Sequence, residues 1–331
     1  PPDYSSAASD VYKRQEVCRR EEVDAVLVAG DLFDSSTVAA SMVMEVLEAI
    51  ESISVPVVVI PGNHDHGGAG GIWRREDLRR QLQERAGNLQ LLLKPEPLVL
   101  AGLTVLPCPL RRQRDSHSPS LWLEQLNWEK LDPLTPRVVL AHGSVQGFGS
   151  EGQVNQLRLD HLPSDQIDYV ALGDWHALLE VDPRSWYCGT PEPDRFPTGP
   201  EDLRSQVLVV DLGRGRPPQV VPHPTGRLRW HRITMSLNGD ADLVRLEQQI
   251  AESVGRRVGR DLMRLELNGQ LGVKGHLQLQ DRLGVLSEQL LHLRLRGRIR
   301  RQPTAQERDQ LLQRMDSPLV SSIAEGLQEE L

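Results

Sequence analysis

The sequence predicts an α/β protein in which a layered sheet with helices is followed by a small C-terminal α/β domain. Short apolar runs, which are typical of buried strands, alternate with helical stretches as far as residue 225. Strands that alternate with helices across short loops usually form a layered, largely parallel sheet. The chain of 331 residues also exceeds the length of about 100–200 residues that is usual for one domain.

Each predicted strand of the first domain is a short apolar run, and two of these runs are separated by Ala101-Gly102, which indicates a hairpin. The helix after the first strand has apolar residues at helical spacing from Val38 to Ile50, with Ser35 or Ser36 as its expected N-cap. A second helix is predicted at Trp73–Arg85. The predicted strands are Val23–Ala29, Val55–Ile60, Leu98–Leu100, Leu103–Leu106, Arg137–Ala141, Asp168–Leu172 and Gln206–Asp211.

The pattern changes after Pro222-His223-Pro224, and we place a domain boundary near residue 225. Residues 16–225 are expected to form the first domain and residues 226–331 the second. Residues 1–15 lack apolar periodicity and are interpreted as a disordered or non-native tail. The second domain is predicted to contain strands at Leu228–Met235, Met263–Leu267 and Leu291–Ile299, helices at Asp242–Val254 and His276–Leu290, and a helical tail at Gln306–Leu331.

The composition is ordinary for a globular protein, with 39% hydrophobic and 25% charged residues. No apolar run reaches the roughly 18 residues of a membrane span, so no membrane partner is expected. The three cysteines lack the spacing of a metal site or a disulfide framework, which favours a reducing, cytoplasmic location. Residues 1–225 carry 21 Lys and Arg against 32 Asp and Glu, and residues 226–331 carry 17 against 14. This asymmetry indicates that the first domain handles cations and the second an anionic partner.

Polar side chains follow four of the predicted strands at the point where each strand ends. Because open α/β sheets bind ligands at the carboxyl edge of their strands, we expect these side chains to converge. Oxygen and nitrogen donors without cysteine suit Mn²⁺, Mg²⁺ or iron better than Zn²⁺. The four segments therefore predict a divalent-metal site. They are Gly30-Asp31-Leu32-Phe33-Asp34, Pro61-Gly62-Asn63-His64-Asp65-His66, Ala141-His142-Gly143 and Gly173-Asp174-Trp175-His176.

In this order and at these spacings, the segments GDLFD, PGNHD, AHGS and GDWH resemble motifs of the calcineurin-like metallophosphoesterases. GDLFD, together with LGDWH and WYCGTPEPDRF, is most similar to the SbcD-like DNA repair exonuclease branch of that family. The resemblance covers roughly residues 16–225 and implies a layered metallophosphoesterase sheet with a site for two divalent ions, most specifically Mn²⁺. Two such ions about 3.5–4 Å apart activate water and clamp the attacking and leaving oxygens of a phosphoryl displacement.

The resemblance also implies which residues bind the two ions. Asp31 would bridge both of them. Asn63, His142 and Asp174 would complete the site of one ion, and His176 would help to bind the other. In the family's fifth motif a histidine stands where this chain has Asp174, but a carboxylate can still bind Mn²⁺.

The resemblance assigns the chemistry to the second segment, which contains His64 and Asp65. His64 would stabilise the transition state or protonate the leaving oxygen, and Asp65 would orient His64. Asp34 would fix the orientation of the metal ligands without binding a metal itself. The family's first motif is an Asp-X-His after the first strand, and no histidine at all lies upstream of Asp31 in this sequence. We therefore expect native N-terminal sequence to be missing, together with two ligands of one ion and a central strand, so that this chain on its own is expected to be impaired.

The last strand predicted in the second domain carries arginines at alternate positions, with Leu293, Leu295 and Ile299 on its other face. Such a row suits phosphate contacts, and Arg229 and Arg264 would extend it if the strands pair, although a solvated face partnered by Glu is an equal alternative. In SbcD-like proteins a capping domain in this place helps to hold DNA, which favours binding. The arginines of this row are Arg294, Arg296, Arg298 and Arg300.

The apolar stripe of the tail at Gln306–Leu331 is open to two interpretations. Stripes of this kind usually pack on their own domain. The resemblance implies instead that the stripe docks onto an SbcC-like coiled-coil ATPase, and it also allows a homodimer.

The function predicted from the sequence is metal-dependent hydrolysis of phosphodiesters, most specifically by a DNA exonuclease or endonuclease of the SbcD type in DNA repair. One alternative is a phosphodiesterase or phosphatase for a small nucleotide or lipid. The other is a non-catalytic DNA-binding subunit with a degenerate site. An intact upstream Asp-X-His would argue against the non-catalytic subunit, and a neighbouring gene for a long coiled-coil ATPase would favour the nuclease over the small-molecule enzyme.

Overall fold

The computed structural model describes residues 15–145, 154–199, 202–255, 261–302 and 309, without the side chain of residue 83. The chain divides into two compact units, one formed by the residues up to 194 with 199–227 and the other by residues 195–198 with those from 228 onward. No helix of the described residues is long and apolar enough to cross a membrane. The predicted tail before residue 15 and the predicted helix at 306–331, apart from residue 309, lie outside the described residues.

The described part of the first unit contains three α-helices and thirteen strands. The helices are α1 (residues 15–20), α2 (Ala40–Glu51) and α3 (Glu76–Arg85). Short segments of 3-10 helix lie at Ile72–Arg74, Leu121–Gln125 and Trp128–Lys130. The strands are β1 (Val26–Ala29), β2 (Val57–Ile60), β3 (Leu89–Leu91), β4 (Leu98–Leu100), β5 (Leu103–Cys108), β6 (Arg137–His142), β7 (Ser144–Val145), β8 (Gln156–Leu157), β9 (Tyr169–Gly173), β10 (Leu179–Asp182), β11 (Ser185–Tyr187), β12 (Gln206–Asp211) and β13 (Gln219–Pro224).

Two main sheets carry the first unit. The smaller has the order β1-β2-β3 and is parallel throughout, with Ala29 opposite Ile60. The larger has the order β10-β11-β9-β6-β5-β4, in which the inner neighbours are parallel and the outer strands β4 and β10 are antiparallel to theirs. The α/β layered fold class predicted from the sequence is confirmed.

The two main sheets share an aliphatic core, to which β2 contributes residues from one of its faces. Val58 and Ile60 on one face of β2 pack with Val105 and Leu140 of the larger sheet. Val57 and Val59 on the other face pack with α2 and α3. Because both faces of β2 are covered, all four of its residues are buried and apolar. The parallel strands of both sheets therefore end near one another.

The predicted hairpin is confirmed, with Leu98 opposite Val105. Its two turn residues, Ala101 and Gly102, have φ of 50° and 71°. Two successive positive φ values are what a two-residue hairpin turn needs, because its twist then matches that of the strands.

Three local predictions differ from the structure. The N-cap prediction is wrong, because α2 follows Ala39 without a side-chain cap, and Ser35 accepts the backbone N–H of Thr37 at 3.1 Å in a turn before the helix. β12 pairs with β13 in a separate two-stranded sheet and not with a main sheet. Gln15, which we had assigned to the tail, lies buried in α1 with its amide bonded to Ser52, so it belongs to the folded unit.

The second unit has one parallel sheet, whose strands differ in length, with helices on one face. Its strands follow the order β14-β15-β16, and β17 pairs with the far end of β15. The strand predicted at Leu291–Ile299 is split at Gly297, whose φ is 93°. α4 and α5 cover the face that includes Ile233 and Leu265. The elements are β14 (Arg229–Leu237), α4 (Asp242–Val254), β15 (Asp261–Leu271), α5 (Val273–Gln289), β16 (His292–Arg296) and β17 (Ile299–Arg301).

Candidate metal centre

Four strand ends of the first unit bring four predicted metal ligands together. Asp31 follows β1, Asn63 follows β2, His142 ends β6 and Asp174 follows β9. Nε2 of His142 lies 3.2 Å from Oδ1 of Asn63, 3.3 Å from Oδ2 of Asp31 and 3.7 Å from Oδ1 of Asp174. We refer to these four residues as the ligand cluster. The convergence expected from their positions at the strand ends is present.

His142 is oriented for metal binding by its other ring nitrogen. Nδ1 lies 2.7 Å from the carbonyl oxygen of Ala29, and a carbonyl can only accept, so Nδ1 carries the proton and Nε2 faces the cluster. Burial lowers the pKa of His142, but its hydrogen bond with Asp31 and the charge of that carboxylate outweigh burial and raise the pKa. The surroundings of Nε2 therefore favour a positive charge.

Two glycines allow the strand ends to approach so closely. Gly30 has a φ of 84°, which glycine adopts without a steric penalty, and a Cβ at this position would collide with the ring of His142. A Cβ at Gly173 would lie 2.8 Å from Nδ1 of His142. A larger residue at either position would push the imidazole away from its partners.

Both carboxylates of the cluster stand on strained backbone. Asp31 and Asp174 have φ of 52° and 99°, and each such non-glycine residue costs on the order of 1–3 kcal/mol. Oδ1 of Asp31 accepts the backbone N–H of His64 at 2.9 Å, and Oδ2 of Asp174 accepts the hydroxyl of Ser144 at 3.2 Å. Strain of this kind persists where the surrounding structure enforces it, as it often does at functional sites.

Asp65 holds the backbone of the strand ends and not the ring of His64. Its fully buried carboxylate accepts the N–H groups of Gly62 at 2.6 Å, Leu32 at 3.0 Å and Asp31 at 3.2 Å. Burial raises the pKa of Asp65 to about 6, against the lowering effect of the Gly62 N–H and with the nearby charge of Asp31 adding to the rise. In the described contacts, Asp65 therefore links the ends of β1 and β2, and the orienting role predicted for it stays a prediction.

His64 is oriented by the backbone of Asp34. Its Nδ1 donates to the carbonyl oxygen of Asp34 at 3.0 Å, which leaves Nε2 for a proton donated to, or accepted from, another group. The His64 side chain is exposed, as is that of Asp34. This contact is made by the main chain of Asp34, and the support of the metal ligands predicted for its carboxylate stays a prediction.

The structure pairs His176, the predicted ligand of the other ion, with a carboxylate that we did not predict from the sequence. Nδ1 of His176 lies 2.7 Å from Oδ2 of Asp194, and Asp194 in turn bonds Arg204. Arg204 is almost fully buried and also bonds Asp202 at 2.6 Å. Burial raises the pKa of Asp194, but the hydrogen bond from His176 and the charge of Arg204 lower it to about 2. An ionised Asp194 at Nδ1 fixes the orientation of the ring, as carboxylates commonly do for histidines that bind metals.

Replacing Asp194 by Asn is expected to lower the affinity for Mn²⁺ by about 10–100-fold, the usual effect of losing a partner behind a histidine ligand. Isothermal titration calorimetry on folded protein measures this affinity. Asp202→Asn is the matched control, because it changes the same Arg204 network without touching the described bond to His176. Equal losses in the two variants would show that the effect comes from the network's stability and not from His176.

Tyr187 fixes the loop after His142. Its hydroxyl donates to the carbonyl of Gly143 at 2.8 Å and accepts the N–H of Val145 at 3.0 Å. Tyr187 and Asp194 both lie within the WYCGTPEPDRF segment, which is one of the segments that resemble the SbcD-like branch. Nothing in the residue types of this segment indicates which of them reach the site.

The donor set of the cluster fits a divalent cation. Two carboxylates, an amide oxygen and an imidazole nitrogen are the ligands that Mn²⁺ and Mg²⁺ accept, and all four lie around Nε2 of His142. Within the described part of the chain, no three or more His, Cys, Asp or Glu side chains are arranged so that they could hold a metal ion, so Asp31, His142 and Asp174 alone do not form a preformed ion site, and Asn63 supplies a fourth donor beside them. For a second ion, the predicted ligands among the described residues are Asp31 and His176.

One face of the sheet in the second unit carries the predicted DNA-binding arginines. The register places Arg294 opposite Arg264 and Arg296 opposite Glu266. Glu266 pairs with Arg264 and, at 2.9 Å, with Arg232. Arg229 lies opposite Asp261 and bonds it at 2.8 Å, on the other face of the sheet. We refer to the exposed arginines as the arginine face, which consists of Arg294, Arg296, Arg298 and Arg300.

The side chains of the arginine face are exposed as expected, but the backbone that carries them is not the single strand that was predicted. Because Gly297 splits the strand, Arg298 lies between β16 and β17, and Arg300 lies in β17 opposite Gln270. The four arginines therefore do not share one continuous strand. No carboxylate of the described residues forms an ion pair with any of the four.

The strand-end motifs, the layered sheets and the ligand cluster define a metallophosphoesterase. Residues 5–178 match the calcineurin-like phosphoesterase family, and the chain belongs to that family. Among curated proteins, the DNA double-strand break repair protein Mre11 of Saccharolobus solfataricus is 26% identical over 168 residues, which are 49% of this chain and 41% of that protein. The chain thus spans about two fifths of this relative's length.

Proposed function

We propose that the protein is a Mn²⁺-dependent nuclease of the SbcD type that acts on DNA ends in DNA repair. Family membership supports a phosphodiester hydrolase. The observation that carries the proposal is the ligand cluster, in which Asp31, Asn63, His142 and Asp174 present only metal-binding donors around one point. The similarity to a protein named for double-strand break repair supports DNA as the substrate.

The residues of the site divide the work of hydrolysis. Divalent cations in the cluster would supply Lewis-acid stabilisation of the phosphoryl oxygens. Asp31, Asn63, His142 and Asp174 bind and orient them. His64, held at Nδ1 by Asp34, presents Nε2 to protonate the leaving oxygen. Asp65 keeps the β1 and β2 ends in register, so that Asp31 and His64 stay in place.

The arginine face supports a polymeric anion as substrate, because its exposed guanidinium groups lack partners among the described carboxylates and suit phosphate oxygens. The proposal further includes a cytoplasmic location, a homodimer, and docking of residues 306–331 onto an SbcC-like coiled-coil ATPase. The location rests on the spacing of the three cysteines, and the homodimer and the docking rest on the resemblance alone.

The double variant Arg294→Gln/Arg296→Gln tests the DNA-binding part. Each phosphate contact on duplex DNA contributes a slope of about −0.9 in log K against log salt. We therefore expect the variant to flatten the slope by roughly 1–2 units and to weaken binding equally across sequences. Fluorescence anisotropy with duplex DNA at several salt concentrations measures both quantities.

The matched control is Arg232→Gln, because Glu266 already neutralises this arginine on the neighbouring strand. Hydrolysis of a small chromogenic phosphodiester in Mn²⁺ is expected to be the same in all these variants. An unchanged salt slope in a folded double variant would remove DNA binding from this face and favour the small-molecule phosphodiesterase. Binding to DNA without any hydrolysis in Mn²⁺ would instead favour the non-catalytic subunit.

A further inference from the structure

Trp175 is exposed although it stands between two predicted metal ligands. All six tryptophans lie within the described residues, and the Trp175 side chain alone is counted among the exposed ones, at 43%. Trp73, by contrast, is 1% exposed. Indole rings are usually buried, because their large apolar surface stabilises a core. Packing within the protein therefore does not account for the position of Trp175.

The residues on both sides of Trp175 are held by hydrogen bonds. Asp174 is held by the hydroxyl of Ser144 at 3.2 Å and lies 3.7 Å from Nε2 of His142. On the other side, Nδ1 of His176 bonds Asp194 at 2.7 Å, and the carbonyl of His176 accepts the N–H of Thr190 at 3.0 Å. Trp175 thus stands in the chain between two predicted metal ligands whose side chains are held, and the residue itself is 43% exposed.

We propose that Trp175 stacks on a nucleobase of the strand whose phosphodiester lies at the ligand cluster. This inference rests on the proposed function and names the residue that holds the base. An exposed aromatic face beside a phosphate-binding centre is the arrangement by which proteins hold single-stranded nucleic acid without reading its sequence, because every base has a flat face. Fixing the backbone beforehand reduces the entropy lost when the base stacks.

The test compares two fluorescent oligonucleotides of equal length, both with phosphorothioate linkages that resist hydrolysis. One carries normal bases and the other is abasic, so that they differ in bases and not in phosphates. Trp175→Ala is expected to weaken binding of the base-bearing oligonucleotide by about 5- to 150-fold in Mn²⁺ and to leave the abasic one unchanged. Trp175→Phe is expected to retain most of the preference for the base-bearing oligonucleotide. Leu134→Ala, which removes an exposed apolar side chain elsewhere, is expected to retain all of it.

Equal weakening of both oligonucleotides by Trp175→Ala, or no weakening of either, would overturn the inference. A change in oligomeric state by light scattering, without a change in base preference, would identify the indole as a protein contact and overturn it as well. Cleavage of ordinary DNA in Mn²⁺ is measured separately. If the wild-type protein prefers the base-bearing oligonucleotide but cleaves no DNA, the proposed nuclease activity is wrong and the stacking inference stands. If it cleaves DNA without any base preference, the nuclease activity stands and the stacking inference is wrong.

Discussion

Asp31→Ala is expected to abolish the binding of Mn²⁺ at the ligand cluster and, with it, hydrolysis. Oδ2 of Asp31 lies 3.3 Å from Nε2 of His142, and Oδ1 holds the backbone of His64. Burial raises the pKa of Asp31, but His142 and the His64 N–H lower it below its ordinary value, so the carboxylate is ionised for a cation. Losing a ligand costs more than the about 10–100-fold in affinity that follows from losing a partner behind one. Calorimetry with Mn²⁺ and a chromogenic phosphodiester assay measure the two losses.

Two further variants separate loss of the ligand from damage to the fold. Asp31→Asn keeps the shape of the side chain and suits the positive φ of 52° better than alanine does, so it tests the charge alone. Asp34→Ala removes an exposed carboxylate three residues away and keeps the carbonyl that bonds His64. We expect Asp31→Asn to lose binding and Asp34→Ala to keep it. Near-normal turnover in Asp31→Asn would show that the site is assigned to the wrong residues.

The convergence of the cluster could be predicted because it depends on local sequence and one general property of sheets. A short apolar run such as Val57–Ile60 identifies a strand, and the polar residue after it then lies at the carboxyl edge. Asn63 and His142 are placed by this argument without knowledge of the strand order. The glycines before Asp31 and Asp174 are also visible in the sequence, although their collisions with His142 are not.

The partners of the site could not be predicted, because they depend on contacts between distant segments. Asp65 lies next to His64 in the chain, which suggested that it orients the ring, yet its carboxylate is turned to N–H groups more than 30 residues away. Asp194 reaches His176 across 18 residues. Residue types alone do not predict the φ of 99° at Asp174. They also do not predict which residue of the polar loop, here Asp194, bonds His176.

The same limit explains the errors in the fold. The short apolar run at 207–210 predicted β12 correctly at Gln206–Asp211 but not its pairing partner, since an apolar run does not specify which strand lies beside it. Ser35 and Ser36 are suitable N-cap residues, but the chain first turns at Thr37, and α2 begins only after Ala39. In the last predicted strand, one glycine at φ of 93° was enough to separate Arg298 from β16.

His64→Ala is expected to lower kcat for DNA by about 10²–10⁴-fold, the usual contribution of a general acid, without a comparable loss of Mn²⁺ affinity. The ring is exposed and is held only at Nδ1 among its described contacts, by a carbonyl oxygen and not by a member of the ligand cluster. Its removal therefore leaves Asp31, Asn63, His142 and Asp174 in place. Steady-state kinetics and calorimetry on the same preparation measure the two quantities.

The leaving group distinguishes a general acid from other roles of His64. The alkoxide that leaves when DNA is cleaved needs a proton, whereas p-nitrophenolate is stable without one, so a general acid matters much less for a p-nitrophenyl ester. We expect His64→Ala to impair cleavage of DNA severely and cleavage of bis(p-nitrophenyl) phosphate only slightly. Equal losses on both substrates would mean that His64 stabilises charge in the transition state and donates no proton. Calorimetry showing that the variant has lost its metal would instead make His64 a ligand or a structural residue, because a ring that serves only as an acid leaves the affinity of the cluster unchanged.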